Sequence, residues 1–306
     1  MPAKPSKYIE KAQDCMEQFP PQVELAAKFF KKAFEMAPTD CDVLDAFGEF
    51  LANCGENEIA MQVLMQSCAL EPEKNSSKYM YLSQLKQGKD SLECIERGII
   101  LMRKEMANKE RDEKLCKMQI ASAYCSVAEI YMTDLCDEPE AEDKCKQALK
   151  EAVELDPDDF EVNAQCAQFC KTVIEDAKAK VHCQKCMEVL EKVKTKPEEW
   201  PPGPVRATFT QTLLDLGLSD AAGCVIETLM EEDDEDPQLW YLAASANAQQ
   251  GDKPGAMECL QTLEGLVGKR KEEFKPLLHC VQRLKKNIAK IPDFDDDAAE
   301  VGVPTA

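Results

Sequence analysis

The stretch LWYLAASANAQQGDKPGAMECL, Leu239–Leu260, carries two helical faces joined by a turn. Trp240, Ala243, Ala244 and Asn247 recur at spacings of three and four, as does the pair Ala256 and Leu260 beyond Gly251. The small residues let one helix lie close to the next. A hairpin of this kind leaves an apolar stripe that it cannot bury alone, so further copies are expected elsewhere in the chain.

They are present. Pro38 and Pro72 stand 34 residues apart and end the similar segments KKAFEMAP and MQSCALEP, and EAVELDP ends a third at Pro157. Ala26, Phe30 and Ala33 precede the first of these prolines; Ala60, Leu64 and Ser67 precede the second, and Cys145, Leu149 and Ala152 the third. Leu44, Phe47, Gly48 and Leu51 supply the helix upstream of the second ending. Phe209, Leu213, Gly217, Ala222, Ile226 and Leu229 form another copy, and Cys166, Ala167, Cys170, Ala179, Cys183 and Cys186 one that lacks the final proline. Residues around Tyr79 to Leu101 form a degenerate copy. The pattern resembles the tetratricopeptide repeat, with Asn247 in place of its usual aromatic.

The expectation is an all-α chain, a right-handed α-α superhelix of about seven tetratricopeptide-like helix pairs closed by a C-terminal capping helix from about Glu272 to Lys290. Composition agrees: 12 Gly and 6% aromatics in 306 residues, with abundant helix formers, favour helix over strand. Residues 1–194 read as N-terminal repeats, 195–205 as a Pro-rich connector, 206–291 as C-terminal repeats and cap, and 292–306 as an acidic disordered tail. The charged segment MRKEMANKERDEK reads as a helix extension.

The formal net charge is −21. Such a surface repels nucleic acid and anionic membrane and attracts basic partners. No run reaches membrane-spanning length, and the start MPAKPSKYIEK has no apolar signal segment, so the sixteen cysteines are expected as buried hydrophobes in a reducing compartment. His182, Cys183, Cys186, Cys166 and Cys170 superficially complete a zinc ligand count, but packing positions already account for the thiols; no metal and no cofactor is expected. Only His182 and His279 are present, without a phosphate loop or nucleophile elbow, so the chain is not expected to be an enzyme. In the acidic run EEDDED, Glu231–Asp236, one or two acids suit the following helix start and the surplus reads as solvated loop.

On the inner helices, residues between packing positions face the expected channel. These are Asp42, Asp45, Glu49 and Asn53 in the second copy, then Glu129, Glu161, Gln168, Gln211, Asp215, Tyr241 and Gln249 by the same spacing. In EIYMTDLC, Val127, Ala128 and Tyr131 take packing positions, leaving Thr133 and Asp134 at the channel side or the helix end. The lining suits an extended basic polypeptide.

The combination AEIYMTDLCDEPEAEDKC, KEAVELDPDDFEVNAQ and DDEDPQLWYL resembles the family of dedicated assembly chaperones of the large-subunit ribosomal protein L-four, over most of the chain. The resemblance implies a non-catalytic carrier that captures the newly made ribosomal protein through a long basic loop, shields it and accompanies it to nuclear pre-ribosomes. Cytoplasmic and nuclear residence is then expected, with any import receptor reached through the client. Two other readings stay open: a co-chaperone gripping the C-terminal peptide of a heat-shock chaperone, whose acidity Asp42, Asp45 and Glu49 would repel, and a scaffold within a larger complex.

Overall fold

A computed structural model describes residues 4–268 and 270–292, and among them every regular element is helical. The chain divides into two compact units, Met1–Pro157 and Asp158–Ala306. The first holds α1 (Pro5–Met16), α2 (Val23–Met36), α3 (Cys41–Asn53), α4 (Asn57–Leu70), α5 (Ser76–Leu85), α6 (Gly88–Ala107), α7 (Glu113–Met132) and α8 (Ala141–Leu155). The second holds α9 (Phe160–Thr172), α10 (Asp176–Val193), a 3-10 turn at Pro197–Glu199, α11 (Gly203–Asp215), α12 (Ser219–Met230), α13 (Pro237–Gln250), α14 (Lys253–Val267) and α15 (Lys275–Ile288). Consecutive helices pack in seven pairs, α1 with α2 through α13 with α14, and α15 packs on α13 and α14 as the expected cap. None of the described helices is long and apolar enough to cross a membrane.

Aspartates start several of the helices, four of them first helices of a pair. Asp40, Asp112, Asp159, Asp236 and Asp252 each accept a backbone N–H from the first turn that follows, which satisfies donors the helix cannot pair internally. Within the hairpins, small residues set the spacing. A Cβ added to Gly48 of α3 would stand 2.6 Å from Leu64 Cγ and Cδ2 of α4, so only glycine permits that approach. Most repeat positions read from the sequence are buried, among them Ala26, Phe30 and Ala33; Ala60, Leu64 and Ser67; Cys145, Leu149 and Ala152; Ala244, Ala256 and Leu260, while Phe47, Trp240, Ala243 and Asn247 are half-buried and Gly217 is exposed.

The segment MRKEMANKERDEK differs from expectation. It is not one helix extension: α6 stops at Ala107, Lys109 takes a positive φ of 58°, and Asp112 caps the start of α7. The degenerate third copy proves to be a full hairpin whose first helix, α5, has only ten residues. Its pattern is obscured because Lys78, 1% exposed, occupies an interior position and donates to Ser67 Oγ and to the carbonyls of Ser67 and Glu71, closing the C-terminus of α4.

The segment 195–205 lies inside the second unit and contains the 3-10 turn and the first residues of α11. Arg206 fastens it. Fully buried, this guanidinium donates to Pro201 O, Thr228 Oγ1 and Glu232 and lies 5.2 Å from the Trp200 ring, while Trp200 Nε1 donates to Val193 O at 3.1 Å. Glu232, from the acidic run, is therefore part of the scaffold. Of the expected tail only Pro292 is described; 293–306 lies outside the described residues.

Four of the turns inside the hairpins, α3–α4, α9–α10, α11–α12 and α13–α14, use a left-handed residue. Gly55, Gly217 and Gly251 fill this place with φ of 78°, 70° and 83°, but in the α9–α10 turn it is Ile174, at 62° and 86% exposed. A β-branched residue in this region is strained by about 1–2 kcal/mol, and glycine gives back about 0.5–1 kcal/mol through unfolded-state freedom. Ile174→Gly should therefore raise stability by about 0.5–1 kcal/mol, read as a higher urea midpoint with unchanged slope; a lower midpoint would show that the exposed side chain contributes packing.

Candidate functional site

In the first unit, two adjacent grooves lie over the first helices of consecutive pairs. The first, of about 490 Å³, is lined by Asp42 and Asp45 of α3, by Glu71, Glu73, Lys74 and Asn75 of the α4–α5 turn, by Ser77 of α5, and by Leu101, Lys104, Glu105, Glu110 and Arg111. The second, of about 470 Å³, is lined by Glu49 and Asn53, by Ser76, Ser77, Met80, Tyr81 and Gln84 of α5, by Met102 and Arg111, and by Gln119, Ser122 and Ala123 of α7. Ser77 and Arg111 belong to both. The four inner residues expected from the second copy are thus brought to one continuous path.

Six carboxylates face three cations in the first groove. Lys74 pairs with Glu71 at 2.9 Å, Lys104 with Glu73 at 3.8 Å and Arg111 with Glu105 at 3.3 Å. Asp42, Asp45 and Glu110 form no ion pair within 4 Å among the described residues, although Asp42 also lies close enough to Lys74 to act on its charge. Asp45 Oδ2 accepts from Asn75 Nδ2 at 2.7 Å, while its Oδ1 is buried and takes no hydrogen bond.

Arg111 sits at the junction of the grooves. It donates to Ser76 Oγ at 3.1 Å and to Gln119 Oε1 at 2.7 Å besides Glu105, and Glu105 also accepts from the Ser76 N–H and hydroxyl at 2.8 and 2.7 Å. An arginine side chain already lies in a carboxylate-and-amide seat. In the second groove, Tyr81 donates to Glu49 Oε1 at 2.8 Å, and burial, then this carboxylate, raises the phenol pKa.

The other expected residues of this unit lie off both grooves. Glu129 is exposed near the end of α7, its carbonyl accepting from Thr133 Oγ1 at 2.8 Å. Asp134 accepts the Gly88 N–H at 2.8 Å and so caps α6. Of the two places open to Asp134, channel side or helix end, the structure selects the helix end. Near it the acidic insertion closes a third groove, of about 400 Å³, over Leu92, Tyr131 and Leu135, rimmed by Glu93, Glu96, Glu140, Lys144 and the Lys89–Glu138 pair.

In the second unit, Gln211 lines a groove of about 640 Å³ with Thr208, Glu232, Asp236 and Gln238, and donates to Asp215 at 2.8 Å. Tyr241 is half-buried between two apolar clusters; burial raises its pKa most, followed by Cys280. Gln249 donates to Leu214 O at 2.9 Å and so joins α13 to the end of α11. Glu161 and Gln168 are half-buried on α9 and do not line that groove.

The sequence reading missed Tyr81, Gln84, Gln119, Ser122 and Arg111. On α5 the signal exists: Ser77, Met80 and Gln84 repeat the spacing of Asp42, Asp45 and Glu49, with Tyr81 next to Met80, but a buried lysine among the packing positions obscures the register. Arg111 carries no periodic signal because it lies on a turn.

The cysteine cluster of the second unit is core. Cys166, Cys170, Cys183 and Cys186 are all buried, Cys186 Sγ donates to Phe160 O at 3.6 Å, and His182 Nδ1 is bonded to Asn163 Oδ1 at 2.9 Å. Among the described residues no group of three or more His, Cys, Asp and Glu is arranged to hold a metal.

No protein-family model matches the chain. A protein of Schizosaccharomyces pombe described as "Probable assembly chaperone of rpl4" is 27% identical over 219 residues, covering 69% of the chain and 65% of its own length. One with the same description from Emericella nidulans is 24% identical over 253 residues, covering 78% and 63%. The chain is similar in sequence to both of these proteins. It spans less than two thirds of either relative. The solved structure "Assembly Chaperone of RpL4 (Acl4)", residues 1–338, is similar with a TM-score of 0.72 at 24% identity over 82% of the chain and 98% of that structure. A tetratricopeptide repeat protein from Parabacteroides merdae gives 0.53 at 14% identity over 94% and 99%. The fold is the tetratricopeptide-like helix-pair fold.

Burial pushes the Cys166 thiol up to about 12 and that of Cys183 to about 11, so neither supplies thiolate near neutrality. Native alkylation at pH 8 should modify exposed Cys136 and Cys224 and leave Cys166 and Cys183 unlabelled until denaturant is added; rapid labelling of the latter pair would contradict their core assignment.

Proposed function

We propose that this chain is a non-catalytic assembly chaperone for a large-subunit ribosomal protein, the rpl4 of its relatives, and that it holds a basic extended loop of that client along the grooves of the first unit. The observation that carries the reading is the charge surplus around Asp42, Asp45 and Glu110. A loop destined for ribosomal RNA is rich in Arg and Lys, and before assembly those cations need partners that keep stray nucleic acid away. The acidic groove supplies carboxylates, while Tyr81, Gln84, Gln119 and Ser122 offer hydrogen bonds to an extended backbone. Contacts of this kind are individually weak and collectively sufficient, and release follows when RNA offers the same cations a better set of partners. Such a task implies passage with the client from cytoplasm to nucleus.

The task is binding, not bond chemistry: the acids of the groove are engaged by lysine, arginine and amide groups or stand open to an incoming cation. The heat-shock reading fares worse, because a peptide with a terminal carboxylate would enter beside Asp42 and Asp45.

Two affinity measurements test the proposal. Replacing Asp42, Asp45 and Glu49 together by Lys should weaken capture of an Arg/Lys-rich loop peptide at least about a hundredfold, each charge reversal accounting for roughly 1–2 kcal/mol, with helical circular dichroism unchanged. Unchanged affinity would remove the first unit from the site. Arg111→Gln should act in the opposite direction, tightening binding several-fold, because it frees the seat around Glu105 and Gln119 and removes a repelling cation. Weaker binding would mean that Arg111 itself contacts the client.

A further inference from the structure

The turn between α7 and α8 is longer than its hairpin needs. It runs over 133–140, eight residues, where three close the hairpins at 54–56, 173–175 and 216–218. The added length is fixed in place. Leu135 N–H donates to Ile130 O at 2.9 Å, Glu138 N–H to Leu135 O at 3.1 Å and Ala141 N–H to Glu138 O at 3.0 Å, while Asp134 ties the turn to the Gly88 N–H of α6 at 2.8 Å. What this order maintains is one wall of the third groove, whose floor is Leu92, buried, with Tyr131 and Leu135, half-buried. Its volume of about 400 Å³ is at the small end of ligand sites, roughly 300–1,000 Å³, so it seats a side chain or two of a partner and no folded domain.

Floor and rim together restrict the occupant. Lys89 and Glu138 neutralise each other at 2.7 Å, whereas Glu93, Glu96 and Glu140 form no ion pair within 4 Å among the described residues and face a single further lysine, Lys144. A purely apolar partner would take those carboxylates out of water without compensation, and an acidic peptide or a nucleic-acid phosphate would be repelled. A large apolar side chain flanked by Arg or Lys satisfies both parts at once.

The third groove also continues from the first. Glu93, Glu96, Ile100 and Lys104 follow one another along α6 at spacings of three, four and four, so they share one face, and all four are exposed, Ile100 by 55%. Lys104 lines the first groove and Glu93 the third. The two stand about 16 Å apart along the helix axis, a span of about five extended residues. An exposed isoleucine marks the middle of this route.

We propose that the third groove is a second docking point for the same client, taking a large apolar side chain with Arg or Lys on either side, from a segment that leaves the first groove past Lys104 and follows α6. For the identity of the client this rests on the function proposed above. Leu92, Tyr131 and Leu135 cover the apolar side chain, Glu93, Glu96 and Glu140 pair with the cations beside it, and the pinned turn holds the seat ready in advance, which lowers the ordering cost of binding.

The test uses the full chain and two capped synthetic peptides. Each carries an Arg/Lys-rich run joined through about six Gly and Ser residues to Arg-Arg-Leu-Arg-Arg, or to the same sequence with Ser in place of Leu. The Leu peptide should bind at least about tenfold tighter than the Ser peptide, the effect of burying one leucine. E93K, E96K and E140K together should bring that ratio close to one with helical circular dichroism unchanged, whereas D42K, D45K and E49K should weaken both peptides and leave the ratio as it was. A ratio near one in the unaltered chain, or a ratio that survives E93K, E96K and E140K, overturns the proposal. Failure of the first-groove reading has a different signature: both peptides keep their affinity in the D42K, D45K and E49K variant. Independently of any variant, p-benzoylphenylalanine at the Leu position should on irradiation form adducts at Leu92, Tyr131 or Leu135. Adducts confined to Met80, Tyr81 or Leu101, or to any other part of the chain, would seat the apolar side chain elsewhere and likewise overturn it.

Discussion

A helix hairpin with apolar residues on both sides is unstable until another hairpin covers it, and the whole molecule follows from that requirement. Closeness within each pair is what makes the stacking productive. Gly48 against Leu64, and alanine at the corresponding places of other pairs, bring backbones together so that the larger residues project between neighbouring pairs. In the first unit the cluster around Phe30, Leu44 and Phe50 draws on α1 to α4 at once, and in the second the cluster around Phe209, Leu213 and Leu239 draws on α9 to α13. The interior is built from interfaces and has no separate centre.

That arrangement leaves the inner helices only half covered, and their polar positions become available for recognition. Where the first unit uses them, the local balance of charge decides what they can hold. Lysines and an arginine from the α4–α5 turn, α6 and the α6–α7 turn neutralise part of the acidic lining and leave a surplus beside Asp42 and Asp45. The same chemistry explains the buried cations elsewhere. Lys78 and Arg206 are tolerable in the interior because carbonyls, hydroxyls and, for Arg206, a carboxylate replace the water they lose, and both tie a helix end to its neighbour.

Helix pairing was legible in the sequence wherever packing positions carried alanine, glycine, leucine or cysteine at the repeat spacing. The copy at 76–107 was blurred because Lys78 and Ser76 are buried through hydrogen bonds, which leave no hydrophobic mark. Of the candidate site, the acids of α3 were legible because one helix face is a local property. Tyr81, Gln84 and Gln119 were not, since their helices had to be placed in register before their outward faces could be recognised.

The sequence by itself determined that this chain is helical and that its helices pair, because a period of 3.6 residues is written into nearest neighbours along the chain. Tertiary structure alone decided which carboxylates remain open. Asp134 and Asp42 look alike as letters, yet one caps the start of α6 from 46 residues away and the other faces a groove and forms no ion pair among the described residues. The difference arises from groups that arrive from other helices, and electrostatic neutralisation depends on distance through space, which periodicity along the chain does not encode.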